Sequence, residues 1–317
     1  MEISNYSSGD EHKIIALFEE VFKQKFALES WYWRFKNNPA GNYKIKLMWD
    51  GDKLIGHYAV SPIVLDSFGQ LINTAHSLAT MTHPAYTGKG IFKLLANELY
   101  NQLSTEGFQA VWGFPNNNSH YTFIKSLNWK NLTSLHTLSI DVNSIKTNDE
   151  HSQIIVKEYH MFDDLDVVFI KNKTKDFHVK VDRNLAYLNW RYIDKPSVKY
   201  RKFNIFKNSE LIGIIVTKIY PSNIGGYYDL NIVESFLDDY SGFHSIISSI
   251  LRAYALKFKR VTLWKNLFDV DHLNLERIGF TPALPITYIG LMGLPNLDVA
   301  NFNTNNWYFS QGDSDIY

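Results

Sequence analysis

The chain has 317 residues, 45% hydrophobic and 15% aromatic, with 32 basic side chains against 32 acidic ones and no cysteine. Its length sets a prior of two domains of roughly 150 residues, and its composition supports a buried core in each. Balanced charge without a Lys/Arg-dense stretch argues against nucleic acid or an anionic membrane as partner, and the missing cysteines exclude disulfides, thiolate nucleophiles and Cys-based zinc sites. The start of the chain lacks the basic and apolar runs of a signal peptide, and no stretch approaches the ~18 apolar residues of a membrane span, so the expectation is a cytoplasmic protein.

In chain order, a short strand leads into an amphipathic helix carrying Ile14, Ile15, Leu17, Phe18, Val21 and Phe22 at helical spacing. Lys44–Trp49 and Lys53–Val60 flank an Asp50-Gly51-Asp52 turn and predict a hairpin. A strand over roughly Leu71–Thr82, a turn at Pro84–Gly90 and a helix marked by Ile91, Leu94, Leu95, Leu99 and Leu103 follow, with Gly107 as its stop. Ala110–Phe114 is a short buried strand, and the polar Asn116–Ser119 run suits the start of another helix. The second half predicts a strand at Val156, a helix over Leu165–Phe169, a hairpin around Lys207-Asn208-Ser209, a helix over Phe243–Tyr254 and a strand over Arg260–Trp264.

The two halves repeat. Trp33-Arg34-Phe35, Asn38-Pro39 and Leu54-Ile55-Gly56 recur as Trp190-Arg191-Tyr192, Lys195-Pro196 and Leu211-Ile212-Gly213, every pair 157 residues apart (190 − 33, 196 − 39, 213 − 56). Further on, Trp112 corresponds to Trp264 and Leu127-Asn128-Trp129 to Ile278-Gly279-Phe280 at offsets of 152 and 151 (264 − 112, 278 − 127). The polar segment Asn143–Gln153 serves as the link, giving domains 1–148 and 149–317. Trp31, Trp33, Trp190 and Trp264 are expected to pack in the cores.

The strongest local signal is Thr82-His83-Pro84-Ala85-Tyr86-Thr87-Gly88-Lys89-Gly90-Ile91 between a predicted strand and a predicted helix. Glycines let backbone N–H groups approach an anion, and a helix start offers unpaired donors at the positive end of its dipole. This segment resembles motif A of the GNAT superfamily of N-acyltransferases: Gly90 stands at the central glycine and Gly88-Lys89 at the positions before it. Thr87 replaces the usual Arg or Gln there, and Phe92 the final small residue.

The resemblance implies an α/β fold of the α+β GNAT type: two tandem GNAT-like domains, each a mixed, mostly antiparallel sheet flanked by helices. It also implies acetyl-CoA or another acyl-CoA as co-substrate. Thr87, Gly88, Lys89, Gly90 and Ile91 would hold the pyrophosphate, the backbone of Thr80, Met81 and Thr82 the thioester, and Asn117 the CoA arm. The family's usual tyrosine falls on Ile124, with Tyr121 one turn earlier. Proton-transfer candidates are His76 on the strand before the turn, and His120 and Tyr121 beside the Asn-rich segment; His83 braces the turn. The carboxyl-rich end, Asp313 and Asp315 with Tyr317, is a further candidate.

No HExxH or paired His/carboxylate spacing suggests a metal. The second copy has Asp238-Asp239-Tyr240-Ser241-Gly242 where the first has its glycine turn, and those carboxylates would repel phosphate. One active and one degenerate copy, the latter shaping the acceptor site, resembles the Eis-like aminoglycoside acetyltransferases and the Fem-type peptidyltransferases. The expected function is transfer of an acyl group to the primary amine of a small molecule or amino sugar. A non-catalytic acyl-CoA or metabolite-binding module and a Fem-type aminoacyl transferase are the alternatives, and the sequence does not fix an oligomeric state.

Overall fold

The computed structural model describes residues 1–146, 153–295, 297, 302, 304–315 and 317; the boundary placed near residue 148 lies outside them. The chain forms two compact units, one of Met1–Thr133, Asp194–Ser197 and Tyr288–Phe302, the other of Ser134–Ile193, Val198–Thr287 and Asn303–Tyr317. Among the described residues no helix is long and apolar enough to cross a membrane.

The first repeat runs β1 (Glu2–Asn5), α1 (Glu11–Phe22), α2 (Leu28–Phe35), β2 (Lys44–Asp50), β3 (Lys53–Ser67), β4 (Gln70–Thr82), α3 (Ile91–Thr105), β5 (Ala110–Gly113), α4 (His120–Ser126) and β6 (Lys130–Asp141). The second runs β7 (Ile154–Tyr159), α5 (Asp164–Lys173), β8 (Val179–Val181), α6 (Leu185–Tyr192), β9 (Arg201–Lys207), β10 (Glu210–Pro221), β11 (Tyr228–Leu237), α7 (Phe243–Tyr254), β12 (Phe258–Trp264), α8 (Val270–Arg277) and β13 (Thr281–Gly293). The predicted elements are all present, and α2 and α6 turn out to be the helices that the Trp-Arg repeat marks.

In the first unit the sheet order is β1-β2-β3-β4-β5-β13, antiparallel except for the β4–β5 pair, with Gly290–Gly293 of β13 against β5. Alternation along β3 divides the core. Ile55, Tyr58 and Val60 pack with Leu95, Leu99 and Leu103 of α3, whereas Leu54 and Ala59 pack with Ile14, Leu17, Trp31 and Phe35 of α1 and α2. Tyr100 of α3 fixes the helix to the sheet: its hydroxyl lies 2.6 Å from that of Tyr58 and accepts from the Trp129 indole at 2.8 Å.

In the second unit the order is β6-β12-β11-β10-β9-β7, antiparallel except for β11–β12. Phe243, Ile246, Ile247 and Ile250 of α7 pack on Leu230, Ile232, Val261 and Leu263. The segment Trp307–Ser314 is buried here, held by an ionic core in which Arg183 pairs with Glu234 (Nε, 2.9 Å) and Asp313 (Nη2, 2.7 Å). Tyr192 donates to Glu234 at 2.5 Å. Asp313, one of the sequence's proton-transfer candidates, is committed to this pair, and burial pushes its carboxyl up to about 6 against the pull of Arg183.

The repeat is real in three dimensions. Leu28 to Leu185, Lys44 to Arg201 and Lys53 to Glu210, the starts of three paired elements, all span 157 residues (185 − 28, 201 − 44, 210 − 53), and α2 and β2 match α6 and β9 in length. The Leu-Asn-Trp and Ile-Gly-Phe endings share a left-handed residue, Asn128 at φ 57° and Gly279 at φ 99°, followed by a buried Trp129 or Phe280. Of the four tryptophans, Trp31, Trp33 and Trp264 are buried and Trp190 is half-buried.

The paired glycines mark close approaches. A Cβ on Gly56 would lie 2.6 Å from Ile91 Cγ2 and 3.1 Å from Met48 Cβ, whereas one on Gly213 would lie 2.3 Å from Leu237 Cδ2, the movable end of a flexible side chain. Gly56 therefore sets how near the first residue of α3 sits to the sheet. Gly56→Val should destabilise the protein by about 1–3 kcal/mol through overpacking, and Gly213→Ala by less, as read from urea denaturation midpoints.

Candidate active site

The turn between β4 and α3 is anchored on one side and open on the other. His83 accepts the Ala85 amide at Nδ1 (3.1 Å) and places Nε2 2.8 Å from Glu20 on α1. Tyr86 donates to Asp50 at 2.7 Å, tying the turn to the end of β2. His83 thus braces the loop, as the sequence suggests. Beyond Thr87 the chain takes up φ 76° at both Gly88 and Gly90, a left-handed conformation costly for residues with a Cβ. A Cβ at either position would meet nothing within 4 Å, so these glycines serve the backbone path and leave open space before the helix.

The first α3 amide with an acceptor is that of Leu94, which donates to Gly90 at 3.1 Å. Among the described residues the N–H groups of Gly88, Lys89, Gly90, Ile91, Phe92 and Lys93 have none. Gly90 caps α3 without a side chain, and no acidic residue stands in its first turn. Lys89 lies over the Tyr86 ring at 4.7 Å and adds positive charge. An anion here would meet uncommitted donors, a helix dipole and a cation together.

The corresponding mouth of α7 differs: Asp239 accepts the Ser241 amide at 2.7 Å, and Asp238 pairs with Lys173. Carboxylates occupy the place an anion would need.

Upstream, among the described residues, β4 pairs with β5 only through Thr74–Ala110, Ala75–Val111 and His76–Trp112, and then continues to Thr82 with no strand paired on its β5 side. A bulge interrupts the β3–β4 ladder, with Ala79 at φ 50°. Its carbonyl is gripped by His57 Nδ1 at 2.7 Å. Because the His83 amide donates to Ile55 at 2.9 Å, strand alternation turns the Thr82 amide away from β3, toward the open edge. Thr80 Oγ1 is shielded and has no partner among the described residues, whereas the Met81 side chain is buried among α1 and α2 residues and offers only its backbone.

The proton-transfer candidates are dispersed in character. His76 is buried at the last β4–β5 pair, stacked on Trp112 (5.0 Å, 17°) and edge-on to Phe114 (5.5 Å). His120 opens α4, stacked on Tyr288 at 4.0 Å and 5°, with Nε2 3.2 Å from Asn131 Oδ1. Tyr121 is 72% exposed, and Ile124 packs against the α3 core. Asn117 is exposed in a loop held by Asn116, whose Oδ1 accepts the Asn118 and Ser119 amides at 3.0 Å. His57 and Tyr288 are the residues that sequence reasoning missed. The first acts through a bulge that no local pattern announces, and the second lies 168 residues from its stacking partner (288 − 120).

This geometry defines an α/β domain with a parted strand pair leading to an uncapped, glycine-lined helix mouth. Residues 2–131 match the family model of an acetyltransferase (GNAT) domain. Its fold is similar to a GCN5-related N-acetyltransferase from Anabaena variabilis (TM-score 0.72, 16% identity, covering 95% of this chain and 74% of that one). It is also similar to a probable N-acyltransferase from Enterococcus faecalis (0.69, 14%, 92% and 72%). A tandem GNAT protein from the clavulanic acid biosynthesis pathway matches at 0.62 and 10% identity over 94% of this chain and 99% of its own length, so the fold class is tandem GNAT. No curated relative matches the chain.

Burial pulls the His57 ring down to about 4, opposed only by its bond to Ala79. The folded chain keeps it neutral while the unfolded chain protonates near 6.5. Folding therefore loses nothing above pH 6.5 and about 1.4 kcal/mol per unit below it, on the order of 3 kcal/mol by pH 4. Denaturation midpoints across pH 4–7 should fall less steeply for His57→Gln, which keeps a donor and cannot ionise, than for the wild type.

Proposed function

We propose that this protein is an acyl-CoA-dependent N-acyltransferase, using acetyl-CoA and acting on a primary amine of a small molecule or amino sugar. The observation that carries this reading is the row of partnerless amides from Gly88 to Lys93 at the start of α3. A diphosphate accepts several N–H bonds at once and takes advantage of the dipole. Open space over Gly88 and Gly90, the partnerless Thr80 hydroxyl and the outward-turned Thr82 amide all fit an extended thioester running from the parted strands to the turn. Thr87 gives the diphosphate less than the arginine usual at that position, which is compatible with a weaker hold on CoA.

In the reaction the amine nitrogen attacks the thioester carbonyl carbon, the C–S bond breaks, and the amine's proton ends on base or on the departing thiolate. The chain's contribution is positional and electrostatic: Thr82 N–H donates to the carbonyl oxygen as negative charge develops, a role worth about 10²–10³ in rate at comparable sites. His76 takes a proton from the amine, and His120, oriented by Asn131 and Tyr288, supplies one to the sulfur.

A second reading, an acyl-CoA-binding module without catalysis, is favoured by Ile124, a half-buried aliphatic residue in the slot where the resemblance expects a tyrosine.

Calorimetry with acetyl-CoA tests the cofactor claim. Binding and a raised melting temperature are expected, with Gly90→Glu weakening affinity by about a hundredfold or more, ~2.7 kcal/mol, because it adds both backbone strain and a carboxylate at the mouth. No heat at millimolar acetyl-CoA would sink the proposal. Firm binding without CoA release across a broad amine panel would select the second reading.

A further inference from the structure

We infer that His83 makes the anion-binding mouth of α3 sensitive to pH: the neutral ring holds the turn that leads to the mouth, and protonation at Nδ1 releases that turn. Only the name of the anion, the diphosphate of acetyl-CoA, rests on the proposed function; the switch belongs to the free chain.

His83 follows the last residue of β4 and is fixed there by its backbone. Its amide donates to Ile55 at 2.9 Å, and its carbonyl accepts the Tyr86 amide at 2.8 Å. The side chain is 6% exposed and reaches forward along the turn, where Nδ1 accepts the Ala85 amide at 3.1 Å. Asparagine and aspartate make this kind of bond with an oxygen. A histidine makes it only while Nδ1 keeps its lone pair, because the imidazolium is a donor at both nitrogens. The neutral ring therefore carries its proton on Nε2, 2.8 Å from Glu20 Oε1.

Protonation sets two donors face to face. An N–H at Nδ1 would meet the Ala85 N–H, and among the described residues that amide has no other acceptor. The charged group against the ring, among the described residues, is Glu20 of α1, and the titratable neighbour on the turn is Tyr86, edge-on at 5.5 Å with its hydroxyl donating to Asp50. The Glu20 carboxylate favours the cation and so brings protonation within reach. It also balances the added positive charge, which would otherwise aid a bound anion. Loosening at Ala85 has a short path to the mouth: the Thr87 hydroxyl donates to the Pro84 carbonyl at 3.0 Å, and Gly88 follows directly. Histidine suits the task because its charge changes near neutral pH.

The test follows the full ¹⁵N-labelled chain from about pH 8 to about pH 5.5, as wild type and as His83→Asn, whose side chain still offers an acceptor to Ala85 and does not titrate. Without ligand, the wild-type Ala85 amide should shift and exchange faster along the same curve as the His83 ring, and should hold steady in the variant. Calorimetry at the two ends of the range should show the affinity for acetyl-CoA falling by about threefold or more beyond the fall in His83→Asn. Groups common to both chains, and the phosphates of the ligand, cancel in that comparison. A wild-type Ala85 amide indifferent to the ring's titration, or equal losses of affinity in the two chains, would overturn the inference. If acetyl-CoA binds at neither pH, the proposed function falls and the Ala85 curve still decides the switch, as it does if His83→Asn fails to fold.

Discussion

Anion capture by backbone amides requires donors that the protein itself leaves unspent, and the start of α3 meets that requirement. Every α-helix begins with unpaired N–H groups, but most are capped by a side chain. Here Gly90 replaces the cap, the two left-handed glycines carry the chain past the helix axis, and His83 and Tyr86 hold the near side of the turn in place. Gly56 completes the arrangement from below, because only a residue without a Cβ lets Ile91 settle against β3.

The parted edge of β4 depends on the same region. The bulge at Ala79 alters the strand just where β5 leaves it, and His57 holds the bulge carbonyl from a position with no access to water. A buried neutral histidine is an expensive way to supply one hydrogen bond, and the cost appears as acid sensitivity. The second copy of the fold has abandoned this design: aspartates fill the mouth of α7, and its polar investment lies in the Arg183 ion-pair core.

Much of this was legible in the sequence because it is local. The 157-residue offset located α2, β2 and β3 and their counterparts, and the glycine turn announced itself by composition and context. What stayed hidden depends on register and on contacts distant in the chain. The sheet of the first unit is completed by Gly290–Gly293 and that of the second by Thr137–Asp141, pairings that no single-strand pattern reveals. The Ala79 bulge has no glycine to mark it, and Tyr121 faces solvent while the half-buried Ile124 packs against the α3 core.

The proposed function requires the Gly88–Lys93 amides to receive the diphosphate of CoA. Amide chemical shifts of the ¹⁵N-labelled chain, followed during titration with acetyl-CoA and separately with pantetheine, address it residue by residue. Large shifts at Gly88, Lys89, Gly90 and Ile91 with acetyl-CoA and none there with pantetheine are predicted. Unchanged resonances at those four positions while acetyl-CoA binds would contradict the account.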